Sequence, residues 1–103
     1  MAIEIIDSKK AKEIMESESN IVILDVREED EYLEGHIKNA IQLSYTKIND
    51  DSEKVLKDKN KLILVYCRSG RRSYIAANYL DRLGYNNVKD FGGILDWPYE
   101  IEK

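Results

Sequence analysis

Apolar positions along the chain fall into short blocks separated by polar turns, and the spacing inside the blocks alternates between two periods. Ile3-Glu4-Ile5-Ile6 predicts a short strand, after which Ser8 is placed to cap a helix whose Ala11, Ile14 and Met15 share one face. Ile21 to Val26 is a continuous apolar run ending in Asp25-Val26-Arg27. It is too short for a typical helix and rich in β-branched residues, so it predicts a strand covered on both sides and central in its sheet. Glu28 to Leu33 predicts a brief acidic helical turn stopped by Gly35, and Ala40-Ile41-Gln42-Leu43 a further short strand. Between Ser44 and Asn60 only Ile48, Val55 and Leu56 offer aliphatic anchors, enough for one or two short helices. Lys61-Leu62-Ile63-Leu64-Val65-Tyr66 is the strongest strand signal. Beyond it, Ala76, Tyr79, Leu80 and Leu83 sit at i, i+3, i+4 and i+7, one apolar helical stripe, with Gly84 where a left-handed terminator belongs. Val88 to Phe91 predicts a last strand, and Gly92-Gly93 turns the chain into a terminal segment interrupted by Pro98.

Strands alternating with helices imply a three-layer α/β fold: a parallel sheet with helices on both faces, binding ligands beyond the carboxyl ends of its strands. The chain has 103 residues and no linker, repeat or low-complexity tract, so residues 1–103 are expected to form a single domain.

Charge and composition narrow the partners. Charged residues make up 35% of the chain and leave a net charge of -4, which disfavours nucleic acid and anionic lipid. No apolar run approaches the ~20 residues of a membrane helix and the amino terminus has no signal-peptide layout, so the expected location is the cytosol. One cysteine and one histidine supply no ligand cluster for a structural metal, and no internal disulfide can form.

A lone cysteine is by default a small buried hydrophobe. Cys67 differs through its neighbours. It directly follows the strongest strand and opens Cys67-Arg68-Ser69-Gly70-Arg71-Arg72-Ser73, so three of the five arginines of an acidic chain lie within five residues of its only thiol. A thiol attacks as thiolate, and at its ordinary pKa of ~8.5 only a few per cent is ionised at neutral pH. Nearby guanidiniums and the free amides of a helix starting just after the loop both favour the anion. Gly70 permits backbone angles that curl amides around one atom, and Ser69 and Ser73 add hydroxyl donors or a helix cap.

With its flanks, this segment resembles the rhodanese family of sulfurtransferases. The resemblance runs through Leu24-Asp25-Val26-Arg27-Glu28, Glu31-Tyr32, Gly35-His36-Ile37-Lys38-Asn39-Ala40, Leu64-Val65-Tyr66-Cys67, the loop itself, Leu83-Gly84-Tyr85, and Gly92-Gly93 with Trp97. It implies a five-stranded parallel sheet flanked by helices and a loop whose amides cradle the active sulfur. It also implies a persulfide on Cys67, loaded from a small anionic donor such as thiosulfate and unloaded to cyanide, a thiol or a protein acceptor, with no cofactor. Arg68, Ser69, Gly70, Arg71, Arg72 and Ser73 are then the substrate-binding residues. Because Cys67 has no second thiol to resolve it, the sulfur must leave the monomer.

Two other functions use related folds. A cysteine phosphatase or arsenate reductase of related fold carries its loop arginine six positions after the cysteine. Here that position is Ser73 and the arginine is one earlier, a shorter loop better matched to sulfur. Rhodanese-like domains also serve as non-catalytic binding or regulatory modules, which typically lack the cysteine. His36, the only histidine, is expected to be structural rather than a base, and Asp25 with Arg27 a charge pair holding a loop. Trp97 and Tyr99 are expected to cover the core, with Gly92-Gly93 a candidate border of the pocket.

Overall fold

The computed structural model describes residues 3–103. Strands β1 (Ile3–Ile5), β2 (Ile21–Asp25), β3 (Ile41–Gln42), β4 (Leu62–Cys67) and β5 (Val88–Gly93) form one sheet in the order β1-β5-β4-β2-β3, all pairs parallel. Helices α1 (Ser8–Ser17), α2 (Glu29–Glu34), α3 (Ile48–Val55) and α4 (Arg71–Arg82) connect them, with short 3₁₀ turns at Tyr45–Lys47 and Ile94–Asp96.

Period-2 side chains of the strands divide the core in two. Leu24, Val26, Ile63, Val65, Cys67 and Val88 pack with Ile48, Leu56, Ala76, Ala77 and Leu80 under α3 and α4. Ile23, Leu64, Tyr66 and Phe91 pack on the opposite face with Ala11 of α1 and Trp97 of the terminal segment. Trp97 stands between Phe91 and Tyr99 in a run of ring contacts, so the terminal segment does close the core.

Several local expectations shift. Asp7, not Ser8, caps α1: its carboxylate accepts the Lys10 amide at 2.8 Å from an extended backbone, while Ser8 is already helical and its hydroxyl donates to the Asp96 carbonyl. Replacing Asp7 by alanine is expected to cost about 1 kcal/mol, read as a fall of roughly 4–8 °C in Tm. The middle strand is β4 rather than β2, and β2 meets β3 only through Leu24 and Asp25. In α3, Ile48 and Leu56 anchor as expected, but Val55 is exposed and Ser52 takes the buried position by bonding its hydroxyl to the Ile48 carbonyl. On α4 the stripe also includes Ala77. Gly84, at φ +95°, ends the helix, and the Tyr85 amide closes back on the Leu80 carbonyl.

Cys67 is the last residue of β4, at the carboxyl end of the central strand. The register between β4 and β5 shifts just before it, pairing Cys67 with Gly93.

Candidate active site

The loop Arg68-Ser69-Gly70 joins β4 to α4 and turns tightly enough for the Gly70 amide to donate to Cys67 Sγ at 3.0 Å. Gly70 adopts φ +109°, a conformation that side chains with a Cβ resist, and its carbonyl then receives the Ser73 hydroxyl and the Tyr74 amide. The sulfur thus lies against an inward amide, at the amino end of a 12-residue helix. Cys67 itself is only 1% exposed, a free thiol among core residues.

Support comes from the end of β5. The Leu95 amide donates to the Arg68 carbonyl at 3.1 Å, and Gly93 lies so close beneath the loop that an added Cβ would sit 2.1 Å from that same carbonyl oxygen. Gly92-Gly93 therefore borders the site. Next to them Asp90 is buried, its carboxylate accepting the Gly92 amide. Burial raises its pKa, partly offset by the Gly92 amide and the Ser73 hydroxyl.

Positions 68–73 do not all face the same way. Arg68, Ser69 and Arg71 are exposed, while Ser73 is fully buried and donates inward to the Gly70 carbonyl. Arg72, expected to meet a donor, instead forms a two-pronged pair with Glu31 at 2.7 and 2.9 Å. That bond holds Glu31 down to about 2, so the pair stays ionised even in acid. Arg72 is still near enough for the charge of Cys67 to favour its protonated form, after the larger effect of Glu31.

Asp25 and Arg27 form the expected buried pair, with Arg27 Nε and Nη2 both on the carboxylate and Nη2 also on the Gly35 carbonyl. Tyr66 completes this cluster: its hydroxyl donates to Asp25 at 2.7 Å and accepts the Ile37 amide. Burial, then the charge of Asp25, push the phenol far above its ordinary pKa, so it remains a donor. The cluster ties the Gly35–Ile37 segment, and with it α2, to the strand that carries Cys67. His36 belongs to that segment. Its ring stacks on Tyr32, Nδ1 lies 2.9 Å from the Tyr32 carbonyl and Nε2 faces Glu102, an arrangement that leaves it no role as a base for the thiol.

The resemblance runs through Glu31 and Tyr66 without giving either a role, and it does not include Asp90. Glu31 stands three residues after Glu28, the spacing of a capping box, which α2 does form. Asp90 stands two residues after Val88, so strand alternation places it on the same core-facing side. Among the described residues, no group of three or more His, Cys, Asp or Glu side chains is placed to hold a metal ion, and no helix is long and apolar enough to cross a membrane.

The profile of the family described as Rhodanese-like domain matches residues 7–99, nearly the whole chain. The chain belongs to the rhodanese-like domain family. A thiosulfate sulfurtransferase of Coxiella burnetii, GlpE, is 44% identical over 79 residues, covering 76% of this chain and 72% of that protein. The crystal structure of SSP1007 from Staphylococcus saprophyticus superposes with a TM-score of 0.85 at 27% identity, covering 97% and 99% of the two chains. A rhodanese from E. coli solved with anions gives a TM-score of 0.74 at 30% identity over 80% of this chain and 96% of that one. The rhodanese-like sheet of five parallel strands agrees with the architecture that the resemblance implied.

Proposed function

We propose that this rhodanese-like protein is a sulfurtransferase that carries sulfane sulfur as a persulfide on Cys67. The observation that carries the reading is the Gly70 amide at 3.0 Å from Cys67 Sγ, in a short loop set at a helix amino terminus. In the forward step Cys67 thiolate attacks the outer sulfur of a donor such as thiosulfate. The new S–S bond forms as the donor's own S–S bond breaks, and sulfite leaves with the electron pair. Arg68 and Arg71, exposed at the mouth, hold the oxyanion, and the loop amides stabilise the persulfide anion. A thiolate, cyanide or the cysteine of an acceptor protein then attacks the outer sulfur, and Cys67 departs as thiolate. The single cysteine leaves no resolving partner within the chain, so each sulfur is passed outward. The names of the relatives favour this chemistry over phosphate transfer, and so does the position of Arg72, whose guanidinium lies on Glu31.

Incubation with thiosulfate followed by mass spectrometry of the intact protein tests the proposal. The parent should gain one sulfur atom, removable by cyanide, and Cys67→Ser should gain none. Failure of the parent to load from thiosulfate or any other sulfane donor would sink the catalytic reading. Cys67-dependent turnover of an aryl phosphate would turn it toward the phosphatases.

A further inference from the structure

Three arginines flank Cys67, but only two of their charges are free. Arg68 and Arg71 are exposed and have no ion-pair partner among the described residues. Arg72 is the third. Its two terminal nitrogens each meet a different oxygen of Glu31, in a pair about three-quarters buried, with side-chain exposures of 22% and 24%. Both residues stand in the first turn of a helix, Glu31 in α2 and Arg72 in α4. The two amino-terminal ends therefore face each other across the loop. A cation in the first turn is opposed by the helix dipole, and a carboxylate there is favoured. Glu31 answers both demands. Its position is fixed independently of Arg72, because Oε1 also accepts the Glu28 amide at 3.0 Å in the capping box of α2.

We propose that Glu31 sets the charge which the mouth of the loop presents to a donor: by cancelling Arg72 it leaves Arg68 and Arg71 as the groups that receive the anion. This rests on the reading of Cys67 as the sulfur-carrying nucleophile. Arg72 then braces the loop against α2 and contributes little net field, and Glu31 is a specificity-determining residue acting through it. A mouth with two free guanidiniums attracts an anionic donor while holding the departing sulfite less tightly than three would.

The test compares alkylation of Cys67 by iodoacetate, an anion, with alkylation by iodoacetamide, its neutral relative. Both consume the thiolate, so the ratio of their rates cancels the ionised fraction and reports the charge at the mouth. Glu31→Gln keeps the side chain's shape and its capping bond but frees the Arg72 charge, and should raise the ratio about three- to tenfold, the effect of one charge several ångströms away in a partly aqueous site. Arg72→Gln, which leaves Glu31 unpaired, should lower it by a similar factor, and the double variant should return to within about twofold of the parent. KM for thiosulfate should fall in Glu31→Gln and rise in Arg72→Gln. A ratio unmoved in both single variants would overturn the inference. Should Glu31→Gln fail to fold, the double variant set against Arg72→Gln decides: a ratio restored to within about twofold of the parent assigns the charge effect to Glu31, and no restoration overturns the inference. If the parent never loads sulfur yet the ratios move as expected, the sulfur-transfer reading falls and the charge role of Glu31 stands. If the parent loads and the ratios stay still, only the inference falls.

Discussion

Gly93→Ala is expected to abolish sulfur loading of Cys67, with a loss of at least about 100-fold in the rate of persulfide formation. The reason is contact rather than conformation. Gly93 has φ -122°, which any residue adopts, but a Cβ there would stand 2.1 Å from the Arg68 carbonyl oxygen and 2.6 Å from Ser69 Cα. Both obstacles are backbone, so the loop itself must move. A displacement of about 1 Å suffices to lose two orders of magnitude when a reacting group is positioned by its surroundings. The neighbouring Gly92 provides the control. It has φ +90° with open space around its would-be Cβ, so Gly92→Ala should cost roughly 1–2 kcal/mol of backbone strain and largely keep the loading rate. Stopped-time mass spectrometry after thiosulfate addition separates the two, and equal losses in both variants would refute the close-approach account.

Asp25→Asn should have the largest effect on stability, about 3–5 kcal/mol, because it leaves the Arg27 guanidinium charged in a site where only 5% of that residue is exposed. For a domain of this size that is a substantial share of the whole folding free energy. Urea unfolding should show the midpoint falling by roughly 2 M. The same variant should alter the alkylation rate of Cys67 much less than it alters stability, since Asp25 acts through Arg27, Tyr66 and the Gly35 carbonyl rather than at the sulfur. An unchanged midpoint would show that the asparagine retains the whole network and that the charge is dispensable.

Legibility from sequence followed the range of the interactions involved. Strands β2 and β4 and helix α4 could be read because burial on both faces, or along one stripe, imprints a local period on the residues. Errors arose where one residue's choice depended on backbone geometry. Asp7 takes the cap from Ser8 because the chain is still extended at Asp7, and Val55 turns outward because Ser52 in α3 and Leu56 just past its end fill the inward positions. Gly70 is legible as a loop requirement and Gly92-Gly93 as a turn bordering the pocket, whereas the need for glycine at Gly93 in particular arises from a strand and a loop far apart in the chain.

The sequence by itself determined the alternating order of strands and helices, the parallel sheet, and a lone cysteine set where the strongest strand meets a helix amino terminus. These follow from periodicity and from residues within a few positions of one another. Only the tertiary structure decided how the three arginines divide. Side chains adjacent in the loop radiate in different directions once the chain curls around Sγ, and the partner that claims Arg72 lies 41 residues away on another helix. Charge counted along the chain is therefore not the charge left free after folding: of three guanidiniums in sequence beside Cys67, one is set against Glu31 and two are exposed.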